Sequence, residues 1–211
     1  MRTTVNLRAH RLPAALALAC LLLAGCASNK GTPNTIYDFG APSGRPSASA
    51  FPAAVQRAVV VMDATGPAAL DNERMFYRLN YADPMQARSY AGSRWSGTPL
   101  DLVTTRIKTR LSQSGMTVLS ATDAANGVPI LRIEIDDFVH AFASAGQSEG
   151  QIMLRASVFT DHRLVGQRSF ARSTPAASQD AAGGVAALAA STDAVANDIH
   201  AWLATLGLEG K

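Results

Sequence analysis

From about residue 55 onward the chain alternates between segments of period two and segments of helical period. Val59-Val60-Val61-Met62 is a continuous, β-branched apolar run. It predicts a strand buried on both faces. Met75, Tyr77, Leu79 and Tyr81 alternate with Phe76, Arg78 and Asn80, the pattern of a half-buried strand. Ala82-Asp83-Pro84-Met85 supplies turn chemistry, and Gln86 to Tyr90 reads as the returning strand. A helix follows. Thr98 is its cap, Pro99 occupies its first position and Asp101 sits near the positive end of its dipole. Leu100, Val103, Ile107 and Leu111 form its apolar stripe, and Gly115 stops it. Arg106, Lys108 and Arg110 read as its solvated side.

A short strand is expected near Met116–Leu119, then three longer ones. In Ile130 to Phe142, Leu131, Ile133 and Ile135 face inward first. Phe138, His140 and Phe142 then take over the inward phase, which predicts a bulge near Asp136-Asp137. Ile152 to Thr160 alternates, Asp161-His162 marks a turn, and Leu164 to Arg172 returns, giving a long antiparallel meander. The last helix, from about Gln179 to Leu206, carries Val185, Leu188, Thr192, Val195, Ile199, Trp202 and Leu206 as a continuous stripe. The expected fold is α+β: a single domain over residues 54–211, with a mostly antiparallel sheet and two main helices packed on one face.

The first 53 residues read differently. Arg2, Arg8 and Arg11 precede the apolar run Leu16 to Leu23, and Leu23-Ala24-Gly25-Cys26 follows. The apolar stretch Leu12 to Gly25 spans only 14 residues, whereas a membrane-spanning helix needs about 20. Residues 1–25 are therefore expected to be a signal peptide. Residues 26–53, rich in Ser, Gly, Pro, Ala and Asn, read as a flexible linker. An apolar island interrupts it, Thr35-Ile36-Tyr37-Asp38-Phe39-Gly40, which is either a short docked edge strand or a chance cluster. Leu23-Ala24-Gly25-Cys26 resembles the bacterial lipobox. That resemblance implies that Cys26 is acylated and becomes the first mature residue. Ala27, rather than an aspartate, follows it, which by the same resemblance favours the outer membrane.

Cleavage changes the electrostatics. The precursor has 19 Lys and Arg against 16 Asp and Glu, but three of the arginines and none of the acids lie in the first 25 residues. The mature chain is formally neutral, which argues against nucleic acid as a partner. Cys20 leaves with the signal and Cys26 carries lipid, so no thiol remains for a disulfide or a metal.

Candidate chemistry is sparse. Gly146-Gln147-Ser148-Glu149-Gly150 matches G-x-S-x-G, but a nucleophile elbow needs a strand-to-helix turn. Here Ser148 is expected in a hairpin loop. Glu134, Asp136 and Asp137 lie near His140 without a second metal-spaced motif, and read as a solvated ladder. Gly183-Gly184 is not followed by a phosphate-loop lysine. No cofactor is expected and no enzyme is indicated.

Taken in order, the lipobox, Tyr37-Asp38-Phe39-Gly40, the strand around Phe76-Tyr77-Arg78, Tyr90, Trp95, and the helix from Pro99-Leu100 to Gly115 resemble the ABC-type transport auxiliary lipoprotein family. Members of that family include the lipoprotein of the Pqi system. The resemblance spans about residues 36 to 206 and departs from the family in Thr174 to Ala190, where the start of the last helix is least defined. It implies a non-catalytic, periplasm-facing lipoprotein of the outer membrane. Its partners would be an MCE-domain protein and an ABC permease and ATPase that move phospholipids or related lipids between the two membranes. Docking on a ring-forming partner would allow the chain to self-assemble. Tyr37, Phe39, Tyr90 and Trp95 are the interface candidates, and Trp202 reads as core. The alternatives are a general envelope or outer-membrane assembly lipoprotein, and a lipid-anchored hydrolase using Ser148.

Overall fold

β-branched and alternating segments form strands here, and the two helical-period segments form the helices. The structure is a computed structural model that describes residues 34–41, 58–123 and 127–208. The stretch read as a signal peptide, Cys26 and most of the stretch read as linker lie outside the described residues. In chain order the elements are β1 (Thr35–Tyr37), β2 (Ala58–Val61), a 3-10 turn (Ala68–Leu70), β3 (Arg74–Leu79), β4 (Ala87–Trp95), α1 (Pro99–Gln113), β5 (Thr117–Ser120), β6 (Ile130–Ser144), β7 (Gln147–Thr160), β8 (Arg163–Pro175) and α2 (Ala181–Thr205). The described residues all fall within one compact unit.

The strands form one eight-stranded sheet built around β6. Along one edge β6 pairs antiparallel with β7, and β7 with β8, so the meander carries most of the pairing. Two shorter strands share the opposite edge. β2 pairs parallel with Ile130-Leu131, and β3 pairs parallel with His140 to Phe142. Between them Thr65 accepts a hydrogen bond from Ile135 N–H at 2.7 Å and donates its own N–H to Ile133 O at 3.0 Å. β5 adds parallel to β2, while β4 adds antiparallel to β3 and β1 parallel to β4. The β6–β7 register slips between Ile135 and Asp137, where the change of phase in the sequence places a bulge.

Both helices cover the same sheet face. Thr98 Oγ1 accepts the Asp101 N–H at 3.1 Å and donates to Asp101 Oδ2 at 2.8 Å, closing the start of α1. Gly115, at φ +88°, ends it in a conformation that costs a Cβ-bearing residue energy. The start of α2 is well defined despite the weak resemblance there. Asp180 accepts the Gly183 N–H at 2.8 Å and the Ser178 hydroxyl at 2.7 Å. Val185, Leu188, Val195, Ile199 and Trp202 bury the expected stripe. Its polar member, Thr192, donates to Leu188 O at 2.8 Å.

The island Thr35–Gly40, open in sequence, is the docked edge strand: it contains β1, which pairs with β4. Other readings change among these elements. β4 continues past Tyr90 to Trp95. Tyr81 lies beyond the end of β3 and is 52% exposed in the turn, because the strand ends at Leu79. Arg106 is not on a solvated face: it is 6% exposed between the two helices.

Candidate functional site

The interface candidates converge on the β1–β4 side of the sheet. β1 brings Tyr37 alongside Trp95, and Ser96 N–H donates to Tyr37 O at 2.8 Å. Phe39 then folds over Trp95, with ring centroids 5.6 Å apart and planes at 84°. Phe138 completes the cluster, 6.0 Å from Phe39 and 5.8 Å from Trp95. Edge-to-face geometry of this kind adds to the area buried. Trp95 is 2% exposed, so its ring offers a partner no surface and belongs to the core. Tyr37, Phe39 and Tyr90 remain half-buried.

β4 is distorted beside this cluster. Arg74 pairs with Arg94 and Phe76 with Ser89, so Tyr90 to Ser93 stand opposite the single residue Met75. This wide bulge opens a cleft of about 710 Å³ lined in part by Asn34, Arg74, Ser89, Ser93 and Arg94. Glu73 holds Arg94 at 2.7 Å and offsets the charge of the two facing arginines.

Below the bulge lies a polar chain that the sequence reading missed. Tyr90 Oη is 2.8 Å from His140 Nδ1, and His140 Nε2 is 2.9 Å from Ser148 Oγ. His140 is 1% exposed and Ser148 4% exposed. Ser148 does not sit in a loop. β7 begins at Gln147 and turns Ser148 inward, opposite Phe142. Burial lowers the His140 pKa from its ordinary value, and the Asp180 carboxylate only partly opposes this. The neutral ring has one N–H, so it donates to one hydroxyl and accepts from the other. Burial, with the Tyr77 and Asp180 charges adding, raises the Tyr90 pKa, so that hydroxyl keeps its proton.

Helix α2 seals this chain. A Cβ at Gly184 would drive into the His140 ring, and one at Gly150 into the α2 backbone at Ala187 and Leu188. The narrow space that reaches His140 is lined by Met75, Trp95, Phe138 and Leu188 and has no room for a water molecule. Ser148 stands within a strand rather than on a strand-to-helix elbow, and the partner of His140 opposite Ser148 is a tyrosine rather than a carboxylate. The arrangement is a packed hydrogen-bonded chain. The signal that could have found it was the inward phase shared by His140 and Ser148 on adjacent strands.

The acidic residues near His140 are taken up in ion pairs on the helix-free face. Arg155 lies 2.9 Å from Glu134 and 3.7 Å from Asp136, and Arg78 lies 3.1 Å from Asp137. Among the described residues no group of His, Cys, Asp and Glu is arranged to hold a metal ion. No helix among them is long and apolar enough to cross a membrane.

The second buried polar feature joins three elements. Arg106 donates from Nε and Nη2 to the two Asp193 carboxylate oxygens at 2.6 and 2.7 Å, and from Nη1 to Gly40 O at 3.3 Å. It links α1 to α2 and to the segment that follows β1.

Residues 37–200 match the family described as the ABC-type transport auxiliary lipoprotein component. Among solved structures, protein XCC0632 from Xanthomonas campestris is similar at 23% identity and TM-score 0.66, over 82% of this chain and 96% of that one. An uncharacterised protein matches at 13% identity and TM-score 0.65, over 81% of this chain and 99% of that one. At these identities the likeness is one of fold. No curated protein matches the chain.

Proposed function

The chain belongs to the family of ABC-type transport auxiliary lipoprotein components, and from this we propose that it is the non-catalytic docking subunit of an MCE-type lipid transport system. In this reading Cys26 carries the lipid that anchors the chain to the outer membrane, and the folded unit faces the periplasm. The MCE-domain protein and the ABC permease and ATPase supply channel and energy. The match over residues 37–200 carries the reading, together with the lipobox at Leu23-Ala24-Gly25-Cys26. The sealed Ser148–His140–Tyr90 chain supports a binding rather than a catalytic role. We assign the docking face to the β1–β4 side, where Tyr37 keeps part of its ring in solvent.

The test is crosslinking in intact envelopes followed by purification of the acylated chain. The expected result is recovery of an MCE-domain protein and an ABC permease, and loss of both with Tyr37→Asp. Recovery of neither from the native chain would overturn the transporter reading. Mass spectrometry of the mature N-terminus tests the acyl group on Cys26 separately.

A further inference from the structure

We infer that the tip of the β3–β4 hairpin rests in the headgroup region of the same bilayer that holds the lipid anchor. The inference builds on acylation at Cys26. It starts from the docking of β1, which shortens the tether. Eight residues, 27–34, lie between Cys26 and Thr35, which is paired with Ser93. Fully extended, such a segment reaches only about 30 Å. The anchored bilayer therefore lies close to the domain, rather than a long linker away.

The direction follows from the ladder. β1 runs parallel to β4, so the chain enters β1 from the end where β4 begins. That end is the hairpin turn between Leu79 and Ala87. Met85 precedes Ser93 by eight residues, a span of at most about 26 Å at full strand rise, and shorter here because β4 bulges between Tyr90 and Ser93. The turn therefore lies within the length of chain that separates the domain from its anchor.

The turn has the chemistry of a shallow membrane contact. Met85 is 91% exposed and Tyr81 52% exposed. Both are held outward: Leu79 O accepts from Ala82 N–H and Asp83 N–H at 2.9 Å, and Asp83 Oδ1 accepts from Met85 N–H at 2.9 Å. Asp83 is the one charged residue from Asn80 to Gln86, and its carboxylate is engaged by the turn itself. Tyrosine favours the membrane–water interface. A methionine and a tyrosine bind a bilayer weakly alone, but a chain already tethered there meets it at high effective concentration. The β7–β8 turn at Asp161-His162 lies at the opposite end of the sheet, because β6 runs parallel to β3 and β7 runs back along it.

The test labels the full acylated chain with an environment-sensitive fluorophore at Met85→Cys, on vesicles of phosphatidylethanolamine and phosphatidylglycerol. The mature chain has no other free thiol when Cys26 is acylated. Vesicle flotation reports the anchor and the fluorophore reports the tip, so the two readings fail separately. The expected result is a blue shift, loss of iodide quenching and gain of quenching by spin-labelled lipid, with a His162→Cys label remaining aqueous. A floating chain whose Met85→Cys label stays open to iodide would overturn the inference. Shielding of the same label in the non-acylated Cys26→Ser chain without vesicles would also overturn it, by pointing to contact between copies. A chain that does not float removes both the anchor and the inference.

Discussion

A neutral imidazole between two hydroxyls ties folding to pH. His140 has its folded pKa below the ordinary 6.5 because burial disfavours the charged ring. In the unfolded chain the ring takes up a proton near that ordinary value, while the folded chain resists it. The unfolded state therefore binds more protons as pH falls, and stability drops below about pH 6.5. Urea unfolding across that range should show the decline in the native chain and a flatter profile in His140→Gln. Ser148→Ala leaves one ring nitrogen of His140 without its partner in a buried site. It should cost about 1–3 kcal/mol of stability by the same measurement. A catalytic serine would show the opposite pattern, with stability retained and activity lost. His140 and Ser148 share an inward phase, but the chain was not legible as a unit: its third member, Tyr90, lies on another strand, and only the β4 bulge and the β6–β7 register bring the three together.

At the scale of elements, the strongest periodic segments were legible and the irregular ones were not. The bulge in β6 announced itself because the inward set changes phase between Ile135 and Phe138. The slip between β3 and β4 did not, because Ala91, Gly92 and Ser93 have small side chains that carry no hydrophobic phase. Arg106 was misplaced for a related reason. A helical wheel registers charge but not a carboxylate 87 residues away, and Asp193 on α2 is what draws the guanidinium inside. Replacing it tests that account. Arg106→Ala removes the bidentate partner of Asp193, and Arg110 Nε at 3.4 Å compensates only in part. The expected loss is about 3 kcal/mol in urea denaturation. The β7–β8 turn offers a change of opposite sign. Asp161 and His162 adopt φ of 48° and 63°, the doubly left-handed turn that favours Asn-Gly. The Asp161→Asn, His162→Gly variant should gain roughly 0.5–1 kcal/mol and raise the melting temperature.

At the scale of the whole molecule, the decisive contact is between the arm formed by residues 34–40 and the body of the domain. The apolar island in the linker-like stretch was ambiguous in sequence because three alternating residues suffice for an edge strand or for nothing. Its partners decide it: β4 provides a ladder, Trp95 and Phe138 provide a surface for Phe39, and Arg106 captures Gly40 O. The arm is thus latched at two neighbouring points, one apolar and one polar. One point holds the arm to the sheet through β4, the other to helix α1 through Arg106. The two points share one backbone segment, so their energies should not add. Phe39→Ala should cost about 2–3 kcal/mol, less than a fully buried phenylalanine because the ring is half-exposed. It should also red-shift the emission of Trp95, which loses its covering ring. Combined with Arg106→Ala, the loss should fall short of the sum by at least about 0.5 kcal/mol, since once one hold is released the other has less ordered chain to retain. A strictly additive double-mutant cycle would show that the two holds act independently.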